Sequence, residues 1–297
     1  VLLHFPAMPP DDAHGADPHL HRIVATVRAP DGPGLVVAIA NAAAATGGNI
    51  IDLQQVSDPY TEEFGCRLVI EGACHTACVA GILQELVDAR GIAFALHPDE
   101  PPAEVVVCCS STLHCVSDLV ARAATGDLPC RITAVVSDKE AARDLVEAAG
   151  ITFHHVPVGD VREEQESELG RVLDGLDPAL VVLARYMRVL PAWLVERFDG
   201  RMINIHHSTL PAFPGANPRR RAHEAGVKII GATAHYVTAG LDEGPIIEQG
   251  VHHVGNADLE ALIRMGEDVE RLVLANAVRL HLEHRVMVFG GRTSVFA

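Results

Sequence analysis

The sequence predicts an α/β protein of two domains, a ferredoxin-like βαββαβ domain followed by a doubly wound, mostly parallel sheet. Three observations support this. The 297 residues exceed the usual domain length of about 100 to 200 residues. The rhythm of strands and helices changes at the polar, proline-containing segment PDEPPAE. The composition, 48% hydrophobic and 21% charged, is that of globular chains that bury a core.

The first domain is predicted over residues 20–98, after a disordered leader at residues 1–19 that is rich in Pro, Asp and His. A turn at Asp31–Gly34 precedes the first helix, and Gly47 with Gly48 ends it. The predicted elements are the strand RIVATVRA, the helix LVVAIANAAAATG, the strands NIIDLQQVSD and EEFGCRLVIEG, the helix HTACVAGILQELVDARG and the strand IAFALHP. This order predicts an antiparallel four-stranded sheet with two helices on one face.

A linker at residues 99–103 leads to the second domain, residues 104–297, where strands and helices alternate regularly. The predicted strands are EVVVCCSS, CRITAVVSD, ITFHHVPV, ALVVLARY and MINIHHS, and helices connect them. Such alternation is typical of a parallel sheet with helices on both faces. GATAHYV and PIIEQGVHHV follow as an antiparallel pair at the far end of this sheet.

A long helix is predicted to close the second domain. Its apolar positions have helical spacing, and we assign all of them to packing against the sheet: Leu259, Leu262, Ile263, Val269, Leu272 and Val273. The first strand of this domain is followed by no G-x-G-x-x-G, and the chain contains no P-loop, so neither a dinucleotide nor ATP is indicated.

Charge and cysteine content restrict the class of protein. The formal net charge of -16 opposes binding to a phosphate backbone, so no nucleic-acid partner is expected. No apolar run has the length of about 20 residues that crosses a bilayer, and we expect a cytoplasmic protein. The seven cysteines form neither a disulfide framework nor a metal-binding spacing, so reduced thiols are expected, with Cys74 and Cys78 as small buried residues.

Asn204 and His206 are the first candidates for chemistry. They are two residues apart on a predicted strand, so both side chains project from one face while Ile205 and His207 point to the other. A carboxamide donor and an imidazole therefore converge near the end of a parallel strand, where open α/β sheets place their ligands. The adjacent pairs His154-His155 and His252-His253 split across two faces of a strand, and no metal is predicted.

Asp242 is the third candidate. In GLDEGP, Asp242 and Glu243 lie between glycines and before a proline, which indicates an exposed, tightly turned loop. Such a loop could fold back over the strand end. An acidic residue in a Gly-Pro loop is also a common turn former, and spacing alone leaves both interpretations open.

Two long motifs carry a family resemblance. NIHHSTLPAFPGANP followed by GATAHYVTAGLDEGPIIEQ resembles the formyltetrahydrofolate-dependent hydrolases and transferases. A preceding βαββαβ half of the ACT type, and HHS where glycinamide ribonucleotide transformylases have His-Pro-Ser, resemble the formyltetrahydrofolate deformylase family within that group. The similarity covers nearly the whole chain after residue 20. It implies hydrolysis of 10-formyltetrahydrofolate to formate and tetrahydrofolate with no cofactor, supplying formate for purine synthesis.

The resemblance also implies site residues. Asn204, His206 and Asp242 match the catalytic Asn, His and Asp. Asn204 and His206 would donate hydrogen bonds to the oxyanion that forms on the formyl oxygen, and Asp242 would orient His206 or accept a proton from water. The folate pocket would be lined by Met187, Arg188, Val189, Leu190, His207 and Gly240. Arg188 could meet the carboxylates of the substrate or be a solvated surface residue.

One stretch departs from the family. The chain reads NPRRRA where deformylases usually have a Tyr-His pair, so Arg219, Arg220 and Arg221 would alter the lip of the pocket. A basic lip would suit an anionic polyglutamylated folate. A solvated helical face explains the same residues.

ACT-like domains often bind amino acids where two copies pair, and a homo-oligomer is therefore expected. The residues implied for such an effector are Asp31, Gly34, Leu35, Asn49 and Ile50. A role in oligomerisation alone is the other interpretation. Three further alternatives stay open: a glycinamide ribonucleotide transformylase, a methionyl-tRNA formyltransferase, and a catalytically idle amino-acid sensor.

Overall fold

The computed structural model describes residues 22–72, 76–98, 101–159, 161–211, 226–255 and 258–297, without the side chains of residues 85–90. The predicted leader, Cys74 and the run Arg219 to Arg221 lie outside the described residues. Two compact units are present, one of residues 22–54 and 66–98 and the other of residues 55–65 and 101–297. The domain boundaries at residues 98 and 104 stay predictions.

The first sheet confirms the predicted ferredoxin-like fold. Its elements are β1 (Arg22–Pro30), α1 (Leu35–Ala45), β2 (Asn49–Asp58), β3 (Glu63–Glu71), α2 (Thr76–Arg90) and β4 (Ala93–Pro98). The strand order is β2-β3-β1-β4, and β1 pairs with β4 in antiparallel register. Ile23 of β1 packs with Ala42 of α1 and Val79 of α2, so both helices cover one face.

The second unit has the predicted alternation. Its elements are β5 (Ala103–Cys109), α3 (His114–Thr125), β6 (Cys130–Ser137), α4 (Arg143–Ala148), β7 (Thr152–His155), α5 (Arg162–Leu176), β8 (Leu180–Ala184), α6 (Ala192–Arg197), β9 (Met202–His206), β10 (Ile229–Tyr236), β11 (Ile246–His253), α7 (Leu259–Leu282), β12 (Val286–Phe289) and β13 (Arg292–Val295). A 3-10 turn, Glu140–Ala142, precedes α4.

Seven strands form the main sheet in the order β11-β10-β9-β8-β5-β6-β7. β5 pairs in parallel with β6 and β8, and β10 pairs antiparallel with β9 and β11, which confirms the doubly wound prediction. Alternate residues of β5 enter different cores: Val107 packs with Leu119 of α3, and Val106 packs with Leu173 of α5. The sheet is therefore covered on both faces.

The connections of this sheet create a crevice at the carboxyl ends of its parallel strands. From β5 the chain builds β6 and β7 on one side and then crosses to build β8 and β9 on the other. The carboxyl ends of β5 and β8 thus diverge at a topological switch point, which is where open α/β sheets bind ligands. The segments after β8 and β9 leave the sheet beside this crevice.

Part of the predicted packing of helix α7 is wrong. Leu262, Val269 and Val273 are buried as expected, but Ile263 and Leu272 are exposed, Leu272 by 62%. Glu270 is instead buried in this helix. The apolar spacing predicted the helix correctly, but the buried face is narrower than the set of its apolar residues.

Two further findings depart from the sequence predictions. The two-stranded sheet of β12 and β13 was not predicted. Cys78 is exposed and is joined in a disulfide, so its interpretation as a buried reduced thiol is wrong. Cys66, Cys108, Cys109, Cys115 and Cys130 are free thiols.

Among the described helices, none combines the length and apolar character needed to cross a membrane.

Candidate active site

Strand β9 brings Asn204 and His206 to the same side of the sheet. Ile203 and Ile205 point the other way, into the core shared with α7, as the two-residue period of a strand predicts. His206 is buried, and its Nε2 lies 2.9 Å from Oγ of Ser208. Both polar side chains are therefore fixed at the end of a strand that is held between β8 and β10.

Asp242 completes this group from the loop between β10 and β11. His206 donates from Nδ1 to Oδ2 of Asp242 over 3.1 Å, and Asn204 donates from Nδ2 to Oδ1 over 3.4 Å. Asp242 has a left-handed backbone, φ 57°, a conformation that Asp tolerates better than most residues. The loop thus folds back over the strand end, and the structure brings the three candidate residues together.

Hydrogen bonding sets the charge of Asp242. The bond from His206 is the largest cause that lowers the pKa of the Asp242 carboxyl well below its ordinary value of 3.8. A carboxyl whose pKa is lowered by folding stabilises the folded chain at pH values above 3.8 and loses that contribution as the pH falls below it. Asp242 is therefore an anion throughout the neutral pH range.

His235 belongs to the same group, although the sequence interpretation did not include it. It lies opposite Asn204 in the register of β10 with β9, and it is buried. Its Nδ1 donates to the carbonyl oxygen of Tyr236 over 2.8 Å, so Nε2 is free of hydrogen in the neutral ring and accepts from Asn204 Nδ2 over 3.2 Å. The signal for His235 was its position in the strand that pairs with β9.

A cavity of about 350 Å³ opens onto these side chains. Its wall is formed by the segment after β8, the end of β9 and the loop between β10 and β11. The three candidate catalytic residues line it. So do all the residues that the resemblance implied for the pocket: Met187, Arg188, Val189, Leu190, His207 and Gly240. Met187 and Val189 are more than half exposed, which leaves apolar surface at the cavity mouth for a ligand to cover.

Arg188 is held by the protein itself. Its Nε and Nη2 donate to Oδ2 of Asp138 over 3.0 and 2.6 Å, and Ser110 donates to Oδ1 over 2.6 Å. Burial would raise the pKa of Asp138, but the hydrogen bonds from Ser110 and Arg188 outweigh it and lower that pKa. Arg188 is exposed, as the interpretation of a surface residue expected, and it is paired with Asp138.

His207 lies at the cavity wall, contrary to the expectation that it faces away from Asn204. Strand β9 ends at His206, so the alternation of a strand does not extend to the next residue. The rings of His206 and His207 meet edge to face with centroids 5.0 Å apart. His207 therefore lines the same cavity as Asn204 and His206.

The predicted effector residues do not form one cluster within a chain. Gly34, with φ 85°, caps α1, and Leu35 begins that helix; Asn49 begins β2. In an antiparallel sheet ordered β2-β3-β1-β4, β1 and β2 run in the same direction on either side of β3. Asn49 therefore lies at the end of the sheet opposite the turn that follows β1, so the residues implied for the effector fall into two separate groups within one chain.

Gly244 fixes the return of the Asp242 loop to the sheet. A Cβ at this buried position would overlap the main-chain carbonyl oxygen of Tyr236, so the backbone must shift to accept any side chain. We expect Gly244→Ala to destabilise the fold by about 2 kcal/mol and to lower the melting temperature by several degrees in a thermal scan. Gly175→Ala is the control, because a Cβ there meets open space; an equal effect of both changes would contradict this account.

Comparisons with known proteins agree with this geometry. The formyl transferase family model matches residues 103–278. The formyltetrahydrofolate deformylase of Bacillus subtilis is 41% identical over 91% of this chain and 92% of its own length. That of Escherichia coli is 40% identical over 93% of this chain and 99% of its own.

Solved structures of deformylases and of glycinamide ribonucleotide transformylases match this chain to different extents. A formyltetrahydrofolate deformylase from Pseudomonas syringae superposes with a TM-score of 0.91 at 35% identity, covering 95% of this chain and 96% of that one. Glycinamide ribonucleotide transformylase 1 from Symbiobacterium toebii gives a TM-score of 0.64 at 32% identity, and covers 98% of its own chain but 68% of this one. Since deformylases match over both units, this chain belongs to the formyl transferase family and, within it, to the formyltetrahydrofolate deformylases.

Proposed function

We propose that this chain hydrolyses 10-formyltetrahydrofolate to formate and tetrahydrofolate. The observation that carries the proposal is the contact of Asp242 with both Asn204 and His206 on the wall of one cavity, in a chain that matches deformylases over 91% of its length. The glycinamide ribonucleotide transformylase alternative is not favoured, because such a structure covers 68% of this chain.

In the proposed reaction, water attacks the formyl carbon and charge develops on the formyl oxygen. Asn204 donates to that oxyanion. His206 is the second donor, from Nε2, in the ring form that carries hydrogen on both nitrogens: Nδ1 stays bonded to Asp242 while Nε2 turns from Oγ of Ser208 to the oxyanion. The contact from Asn204 to Asp242, 3.4 Å, is longer than a normal hydrogen bond, so this N–H is readily given to the substrate. A donor positioned for the oxyanion is worth about 3 to 4 kcal/mol in the transition state.

The two oxygens of Asp242 are proposed to have separate roles. Oδ2 holds Nδ1 of His206 and stabilises positive charge on that ring. Oδ1 loses a donor when Asn204 turns to the formyl oxygen, and it then accepts the proton of the attacking water, directly or through a second water. The proton passes from Asp242 to N10 as the carbon–nitrogen bond breaks, which releases tetrahydrofolate and formic acid; the acid then loses its remaining proton to solvent and is formate. These groups supply general-base and oxyanion assistance without a metal or organic cofactor, and 10-formyltetrahydrofolate is the substrate alone.

One assay tests the activity. The protein is incubated with 10-formyltetrahydrofolate and formate is measured, with and without glycinamide ribonucleotide and with and without EDTA. We expect formate at the same rate in all four conditions. Formyl transfer to the ribonucleotide would instead identify a transferase, loss of the rate in EDTA would contradict the absence of a metal, and no turnover in any condition would favour an idle amino-acid sensor.

We further propose a cytoplasmic homo-oligomer that supplies formate for purine synthesis and balances the one-carbon folate pool. Five free thiols suit a reducing compartment, although Cys78 is joined in a disulfide: Cys66, Cys108, Cys109, Cys115 and Cys130. The turn at Asp31 and the start of β2 at Asn49 lie at opposite ends of the sheet, so an amino-acid site that uses both requires a second copy. Light scattering combined with titration of glycine or methionine tests this; a monomer whose rate and melting temperature do not respond would overturn it.

A further inference from the structure

The cavity segment after β8 begins with an unfavourable backbone conformation. Arg185 follows the last residue of the strand and has φ 62°, in the left-handed region that residues with a Cβ rarely adopt. Arg185 and the next five residues, 186–190, line the cavity. The direction in which this segment leaves the sheet therefore depends on keeping Arg185 in a conformation that it does not favour by itself.

A buried ion pair lies behind this turn. Glu270 of α7 is 1% exposed, and its Oε2 accepts from Nε2 of His114 over 2.8 Å. Nε of Arg185 lies 3.5 Å from the same oxygen, and the Arg185 side chain is 13% exposed. A buried carboxylate is stable only with such partners. The charge of Glu270 therefore stabilises the position of the Arg185 guanidinium, and Arg185 stabilises the buried charge of Glu270.

The cluster is better explained as an anchor than as a metal site. His114, Cys115 and Glu270 bring donor atoms within 4.8 Å of one another, a set that a metal ion can use. However, the guanidinium of Arg185 adjoins the carboxylate and repels a cation. Burial also raises the pKa of the Cys115 thiol, which keeps the sulfur protonated.

We propose that Glu270 is a positioning residue of the substrate cavity, which holds Arg185 in its left-handed conformation and so sets the path of residues 186–190 against the folate. This rests on the proposed deformylase function. Glu270 contacts His114 and Arg185, which lie outside the group of Asn204, His206 and Asp242, so its loss should weaken folate binding more than the chemical step.

The first test is Glu270→Gln, which keeps the shape of the side chain and removes its charge. We expect KM for 10-formyltetrahydrofolate to rise about 10- to 100-fold, because breaking a buried ion pair is strongly destabilising locally and releases the segment that lines the cavity. The value of kcat should stay within about threefold. Calorimetric titration with tetrahydrofolate, the product, should show the same loss of affinity without depending on turnover.

A rescue separates positioning from general damage. In the Glu270→Gln background, Arg185→Gly should recover most of the affinity, since glycine adopts the left-handed conformation without an anchor. Arg185→Ala in the same background should not recover it, because alanine keeps the Cβ. If glycine rescues no better than alanine, the proposal is overturned, and this comparison holds even where Glu270→Gln lowers the melting temperature.

Glu267→Gln is the matched control. Glu267 lies one turn earlier on α7, and its Oε1 is 4.0 Å from Nδ1 of His114. The Glu267→Gln variant therefore removes a similar charge beside the same imidazole. We expect KM to change less than about twofold in this variant. An equal rise of KM in both variants would contradict a specific role of Glu270, whereas a wild-type protein that releases no formate would contradict the deformylase function instead.

Discussion

Replacing Asp242 by Asn should lower kcat for formate release by about 100- to 10,000-fold. The carboxamide keeps the size of the side chain, but it cannot accept the proton of the attacking water, and it no longer balances positive charge on His206. Rapid-quench measurement of formate under saturating substrate gives kcat directly. Turnover within about tenfold of wild type would remove Asp242 from the catalytic group.

Binding should behave differently from turnover in this variant. The cavity wall is mostly formed by other residues, so the dissociation constant of tetrahydrofolate should stay within about threefold. Glu243→Gln is the matched control, since Glu243 is the exposed neighbouring carboxylate of the same loop. Its kcat should match wild type, and a parallel loss in both variants would indicate that loop charge in general, and not the contact with His206, supports the reaction.

The parts of the fold that follow from local pattern were predictable. The period of two placed Asn204 and His206 on one face of β9, and the alternation of strands and helices predicted the doubly wound sheet. The same pattern assigned Ile263 and Leu272 to the core of α7, because spacing shows where apolar residues lie but not how wide the buried face is. The strands of the β12–β13 hairpin are four residues each, too short for a periodic signal.

The site depended on information that no local pattern contains. Asp242 lies in a loop and reaches Asn204 because its own backbone is left-handed. Its assignment to the site came from the family resemblance. His235 required the register of β10 with β9, which spacing along the chain does not give. The sequence left the role of Arg188 open, because its partner, Asp138, is 50 residues away in sequence and follows the end of β6. Long-range contacts of this kind are determined by the packed sheet.

Asn204→Ala should lower kcat by about 100- to 1,000-fold, the usual effect of removing one oxyanion donor. The change removes the amide NH2 group, which contacts both His235 and Asp242, and leaves the strand intact. Ile203→Val on the opposite face of β9 is the control: as a buried residue, it should cost about 1 kcal/mol of stability and leave kcat unchanged. Loss of kcat in both variants would mean that the strand itself, and not the amide, had been disturbed.

The double variant Asn204→Ala with Asp242→Asn tests whether the two residues act in one step. If Oδ1 of Asp242 becomes the proton acceptor only when Asn204 turns to the formyl oxygen, each single change already removes the coupled function. The double variant should then lose much less than the product of the two single losses, as groups that act as a unit do. Fully multiplicative losses would instead show that the oxyanion donor and the base act independently, and would remove the hydrogen-bond exchange between them from the mechanism.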